Sequence, residues 1–274
     1  MTPFGTRLAH AIETRGRFCV GIDPHASLLH EWGLGDDVAS LERFALTVVE
    51  AVAPVVGVVK PQSAFYERFG SRGIAVLERV IAESRAAGAL VLLDVKRGDI
   101  GSTSQAYADA YLDPTSPLAS DAVTASPYLG FGSLDPMVES CRRHGAGLFV
   151  LALTSNKEGP EVQHARTGDG TVAGTVLDRL RALNADADPV GSFGAVVGAT
   201  IGQTGEDLDI NGPVLVPGYG AQGGTAADLA RIFGPAVRWA LPSSSREVLS
   251  AGPDVRRLRE AAAQGNEAVH DLAG

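Results

Sequence analysis

Lysine is scarce in this chain: Lys60, Lys96 and Lys157 stand against 20 arginines. Arginine therefore carries the general surface charge, and each lysine is a candidate for work that needs a compact ammonium rather than a planar guanidinium. Cysteine is scarcer still. Cys19 and Cys141 form no metal spacing, and two thiols in 274 residues read as reduced and buried rather than bridged. His10, His25, His30, His144, His164 and His270 are scattered without ligand spacing, which argues against a zinc site, and nothing calls for a bound transition metal. No apolar run approaches the roughly 18 residues of a membrane span, and residues 1–17 lack signal-peptide or transit-peptide organisation. A cytoplasmic protein without a membrane partner is expected. The net charge of -9 disfavours non-specific nucleic-acid binding, although a local basic pocket could still hold a small anion such as a phosphorylated metabolite.

What the chain does have is a regular alternation of short apolar runs and helical patterns. Strands are expected near 18–23, 55–60, 89–96, 121–125, 147–153, 193–199, 214–217 and 236–241. Amphipathic helices are expected at 38–53, 72–87, 102–111, 134–144, 171–184 and 225–233, with a final one near 246–264 and another at 5–15 before the first strand. Eight βα units predict a single α/β domain over 1–274, a (β/α)8 TIM barrel whose site gathers at the C-terminal strand ends. An open doubly wound sheet fits less well, because the first strand ends Gly21-Ile22-Asp23-Pro24-His25 with no phosphate-binding glycine pattern. About forty residues separate the fifth and sixth strands, including the polar, glycine-rich piece from Ser155 to Gly170, and a barrel loop of that length is usually functional or mobile.

Chemistry concentrates in Leu92-Leu93-Asp94-Val95-Lys96-Arg97-Gly98-Asp99. Asp94 and Lys96 are two residues apart, so a strand puts both side chains on one face. Lys60 closes a second apolar run, Val55-Val56-Gly57-Val58-Val59. A bias towards arginine could leave one such lysine by chance; a pair at matching strand ends points to a site.

Read in order, the strand ends carry Asp23, Lys60, Asp94 with Lys96, then Pro217-Gly218-Tyr219-Gly220-Ala221-Gln222-Gly223-Gly224, and finally Ser245-Arg246. In these motifs, from the first strand to Arg246, the chain resembles the orotidine 5'-phosphate decarboxylases in their longer bacterial form. The carrying motif is Asp-x-Lys-x-x-Asp, met by Asp94, Lys96 and Asp99, with the family's upstream lysine matched by Lys60. The resemblance implies decarboxylation of orotidine 5'-phosphate to uridine 5'-phosphate, without a cofactor, on a network of alternating charge formed by Lys60, Asp94, Lys96 and Asp99. It also implies a homodimer in which Asp99 and Thr103 serve the neighbouring subunit's site. Asp23 matches the aspartate that binds a ribose hydroxyl, and Gln222 and Arg246 match the phosphate-binding residues. Ser155 is the candidate for reading the pyrimidine edge, with Thr154 and Asn156 as alternatives.

Other readings of the same residues stay open at this level. Asp23 could cap the following turn, Gln222 could be a solvated loop residue, and Arg246 could belong to a surface helix. Tyr219 could place a hydroxyl near the phosphate or simply pack, and Trp32 and Trp239 read as packing residues. Sugar-phosphate decarboxylases and aldolases of the same superfamily use a divalent metal and carry a glutamate where Lys60 stands, so this lysine argues against them. A Schiff-base aldolase needs a neutral lysine, whereas flanking carboxylates favour an ammonium. A non-catalytic nucleotide-binding barrel would have no use for so much buried charge.

Overall fold

The computed structural model describes residues 1–168, 170–220 and 225–273, without the side chains of residues 226, 271 and 273. Ten strands follow one another along the chain: β1 (Cys19–Ile22), β2 (Val58–Pro61), β3 (Leu90–Arg97), β4 (Ala122–Ala125), β5 (Gly147–Leu153), β6 (Arg166–Thr167), β7 (Gly170–Thr171), β8 (Phe193–Val197), β9 (Val214–Pro217) and β10 (Ala240–Ser244). All but β6 and β7 are parallel and close into a barrel in the order β1-β10-β9-β8-β5-β4-β3-β2. The short β6–β7 hairpin lies outside the barrel, within the long segment after β5.

The strands form here because they are apolar on both faces, as a parallel sheet clad in helices requires. Outward residues such as Val20, Val59, Val91, Leu93 and Val123 meet the surrounding helices in one core. Inward, each barrel strand contributes one buried residue to a second core: Cys19, Val58, Leu92, Ala122, Phe149, Val196, Leu215 and Leu241. Each fully buried large apolar side chain there contributes roughly 1.5–3 kcal/mol.

The helix Phe4–Arg15 closes the floor of the barrel. Phe4 and Leu8, one helical turn apart, enter the inner core, and the Phe4 ring meets Phe149 edge-on with centroids 5.9 Å apart. On the same helix Arg7 pairs with Asp121 and donates to the Gly145 carbonyl at 2.9 Å. The buried Asp121 carboxylate also accepts the Val91 N–H at 2.9 Å, tying the floor to β3.

Seven of the eight expected barrel strands coincide with observed ones to within a few residues. The eighth differs: residues 234–239, starting Gly234-Pro235, form a 3₁₀ helix, and β10 runs from Ala240 to Ser244. Apolar residues in that turn pack on the outer core, so their run mimics a strand. The final helix, expected near 246–264, is two helices, Arg246–Leu249 and Val255–Ala268. Gly252-Pro253 separates them, and the Asp254 side chain caps the second by accepting from Arg257 N at 2.9 Å. Short helices at Ala26–Glu31 and Ala64–Glu67 were not anticipated. No helix among the described residues is long and apolar enough to cross a membrane.

Candidate active site

Several barrel strands turn polar beyond their inward apolar residue. Val58 is followed on the same face by Lys60 and Gln62, Leu92 by Asp94 and Lys96, Ala122 by Thr124, and Cys19 by Gly21 and Asp23. These side chains line a cavity of about 770 Å³ at the C-terminal mouth of the barrel.

At its centre is Asp94, only 6% exposed. Its Oδ2 lies 2.6 Å from Lys96 Nζ and 3.4 Å from Lys60 Nζ, while Oδ1 accepts from Thr124 Oγ1 at 2.7 Å. Lys60 Nζ is in turn 4.0 Å from Asp23 Oδ1. Charge thus alternates through Asp23, Lys60, Asp94 and Lys96. Burial pushes the Asp94 carboxyl up, but Lys60, Lys96 and the Thr124 hydroxyl outweigh it and hold the carboxyl below the usual range. For Lys60, burial acts downward and the Asp23 and Asp94 carboxylates reverse it, so its ammonium holds its proton more firmly than an ordinary lysine. Beneath them the buried Cys19 thiol is pushed up to about 12, chiefly by desolvation, and stays a thiol.

Lys96 reaches the cavity from an unusual backbone. Its φ is 46°, in the left-handed region that costs an L-residue roughly 1–2 kcal/mol. Pairing between β3 and β4 shifts register between Leu93 and Arg97, and the Lys96 N–H donates to Thr124 Oγ1 at 2.9 Å instead. The Lys96 side chain remains 44% exposed, open to a ligand.

Gln62 and Thr124 also line the cavity, although no motif in the chain marks them. With its amide turned to satisfy both neighbours, Gln62 donates to Asp94 Oδ2 and accepts from Lys96 Nζ at 3.3 Å. The signal was strand parity: Gln62 lies two residues after Lys60, and Thr124 two after an inward alanine.

Around the rim the cavity is lined by His25, Thr154, Ser155, Asn156, Gln163, Tyr219 and Arg246. The segment after β5 is pinned by Gln163, which donates to Thr154 Oγ1 at 2.7 Å and accepts from Thr154 N at 2.9 Å. Gly198 at the end of β8 lets Ser155 press in, since a Cβ there would stand 3.0 Å from both the Ser155 Cβ and its nitrogen. Asp23 caps no helix, because the helix Ala26–Glu31 begins after His25 without a side-chain cap. Its Oδ1 is buried without a hydrogen-bond partner. The His25 ring packs at a tilt of 56° against Phe65 with centroids 4.1 Å apart; burial lowers the tendency of the imidazole to protonate. Tyr219 both lines the cavity and meets Phe18 edge-on. Trp32 packs on Phe44, and Lys157 stands exposed beside Glu158.

Two expected residues stand apart. Asp99 does not line the cavity, and its Oδ1 accepts from its neighbour's N–H, Ile100 N, at 2.8 Å. Thr103 is exposed on the helix Gly101–Leu112. Gln222 lies outside the described residues. Among the described residues no cluster of three or more His, Cys, Asp or Glu could hold a metal ion.

Comparison with known proteins matches this arrangement to one family. The model described as Orotidine 5'-phosphate decarboxylase / HUMPS family matches residues 16–261. An orotidine 5'-phosphate decarboxylase from Nocardioides sp. is 77% identical over 262 residues, covering 94% of this chain and 96% of the relative. One from Streptomyces coelicolor is 65% identical over 264 residues, covering 96% and 95%. A crystal structure of a Streptomyces avermitilis protein that carries the same name provisionally superposes with a TM-score of 0.98 at 63% identity, covering 100% of this chain and 96% of that one. With the barrel, the lysine–aspartate mouth and these matches over nearly all its length, the chain belongs to the orotidine 5'-phosphate decarboxylase / HUMPS family.

Proposed function

We propose that the chain decarboxylates orotidine 5'-phosphate to uridine 5'-phosphate and carbon dioxide, with Lys96 as the cation and proton donor. The observation that carries this reading is the alternating row Asp23, Lys60, Asp94, Lys96, with Lys96 Nζ 2.6 Å from Asp94 and still open to the cavity. Loss of carbon dioxide from C6 of the pyrimidine leaves an electron pair in the ring plane, where no carbonyl can conjugate with it directly. A fixed ammonium stabilises that carbanion by charge and then delivers a proton to C6, leaving the product and a neutral amine. Asp94 keeps Lys96 charged and aimed, and Lys60 balances Asp94 against Asp23. As the departing carboxylate sits near Asp94, like-charge repulsion adds to its destabilisation.

The rim divides the rest of the nucleotide. Asp23 accepts from a ribose hydroxyl, Ser155 reads the pyrimidine edge, and Arg246 with Gln222 holds the phosphate; a guanidinium suits a bidentate anion contact. Binding energy from that remote phosphate is available to turnover when it helps exclude water from the mouth.

Asp99 and Thr103 act across a homodimer interface. Support comes from their position off their own cavity and from the exposed apolar residues Ile100, Tyr128 and Leu129 beside them. The loop carrying Tyr128 packs against Gly98, where a Cβ would fall 2.4 Å from the Ser126 carbonyl. Burying such a patch against a second copy is favourable, whereas exposing it is not.

The test is the loss of orotidylate absorbance with purified protein, run with and without a strong chelator. Conversion to uridylate that ignores the chelator is expected. No conversion, with activity instead on sugar phosphates and magnesium, would overturn the reading.

A further inference from the structure

Behind Lys96, on the side of β3 away from the cavity, a polar cluster takes no part in the chemistry above. Arg97 follows Lys96 in sequence and points the opposite way. Its Nη2 donates to Glu67 Oε1 at 2.7 Å and to the Tyr111 hydroxyl at 3.3 Å, and its Nη1 to the Val95 carbonyl at 3.4 Å. The guanidinium lies over the rings of Tyr107 and Tyr111, 5.5 and 5.9 Å from their centroids. Glu67 is held in turn by the buried Ser63, whose hydroxyl donates to it at 2.5 Å. The Ser63 N–H donates to the Asp94 carbonyl at 3.2 Å.

We infer that Arg97, anchored by Glu67 and Tyr111, is a positioning residue that fixes the backbone turn from which Lys96 reaches the substrate. This rests on the decarboxylase reading. The β3–β4 ladder lapses between Leu93 and Arg97, and towards β2 only a single bridge, Gln62 to Asp94, continues the pairing, so no regular ladder holds Val95 and Lys96. Isolated backbone bonds and two side chains replace it. Ser63 grips the carbonyl of Asp94, Arg97 grips that of Val95, Thr124 grips the N–H of Lys96, and Ser126 N donates to the Arg97 carbonyl at 2.8 Å. A left-handed lysine persists only where its surroundings over-determine it, and here contacts from both neighbouring strand ends do so. The network also couples the ends of β2 and β3, which carry Lys60 and Lys96 respectively. Arg97 therefore acts through Lys96 and touches no substrate.

The experiment compares Arg97→Met, Arg97→Lys and Glu67→Gln with the unaltered chain, which must first turn over orotidylate. An inactive unaltered chain would count against the decarboxylase reading, not against Arg97. Kcat per nucleotide-binding site, KM and the exchange of the uridylate C6 proton in heavy water are measured. In that exchange the neutral Lys96 amine takes the C6 proton, and the ammonium, after trading with solvent, returns a deuteron to the same carbon. The expected result for Arg97→Met is a loss of about 10- to 100-fold in kcat, with KM within about threefold and exchange slowed in parallel, since small misplacement of a reacting group has effects of that size. Glu67→Gln follows in the same direction more weakly, and Arg97→Lys recovers part of the loss. Should Arg97→Met not fold, Glu67→Gln carries the test. Unchanged kcat and exchange per site, with only melting temperature lowered, would reduce the cluster to a structural support and overturn the inference.

Discussion

The two ends of the barrel are built from the same strands and could hardly differ more. At the floor, Val58, Leu92, Ala122 and Phe149 meet the apolar face of the helix Phe4–Arg15, and the space is filled. One pleat repeat further along, β2, β3 and β4 present Lys60, Asp94 and Thr124 to an open cavity. A shift of two residues along a strand separates the part that secures the fold from the part equipped for chemistry. The floor gains stability by excluding water. At the mouth, two lysines and two aspartates each compensate charge that would be costly to bury alone.

Changes confined to one end sharpen the contrast. The largest effect is expected from Lys96→Ala, which removes charge and proton donor together: orotidylate turnover should fall by at least about 10⁴-fold. Uridylate binding, measured by calorimetry, should survive; turnover near the original rate would remove Lys96 from its role. At the floor, Phe4→Ala should cost about 3–5 kcal/mol in denaturant unfolding, as for other buried phenylalanines. KM should not move, and a raised KM would show that the two ends are coupled. The smallest effect belongs to Thr124→Val. With the Asp94 carboxyl held below its usual range in the folded chain, its contribution to stability is complete at neutral pH and is lost as pH falls through that lowered value. Removing the Thr124 hydroxyl lifts that value back towards the usual range. The acid limb of kcat/KM should therefore move to higher pH, and an unmoved limb would detach Thr124 from the titration.

The contrast also explains what could be read from the chain alone. Apolar runs that end in charge announce both ends of a barrel strand at once, which is why Lys60, Asp94, Lys96 and the closed architecture were within reach. Gln62 and Thr124 were not singled out, because an amide or a hydroxyl near a strand end is common and only its parity with a neighbouring charge marks it. The eighth strand was displaced because Ala236, Val237 and Trp239 supply apolar surface from a 3₁₀ turn. Hydrophobicity records burial without recording which backbone achieves it. The shared face of Asp94 and Lys96 was anticipated from simple alternation, yet it is reached through a register shift and a left-handed lysine. Asp99 and Thr103 carry a family motif but sit outside the cavity, a separation that spacing along one chain does not express.

The floor helix also shapes the order in which the barrel can assemble. Phe4 packs on Phe149 from β5, and the Gly5 N–H donates to Ser192 Oγ, just before β8, at 3.0 Å. The segment earliest in the chain thus completes the burial of its apolar face only when strands far downstream have paired. Such long-range contacts form slowly, so this helix is a late arrival in folding despite its early place in synthesis. Until it docks, Phe4 and Leu8 are exposed surface to which a chaperone or an aggregate can bind.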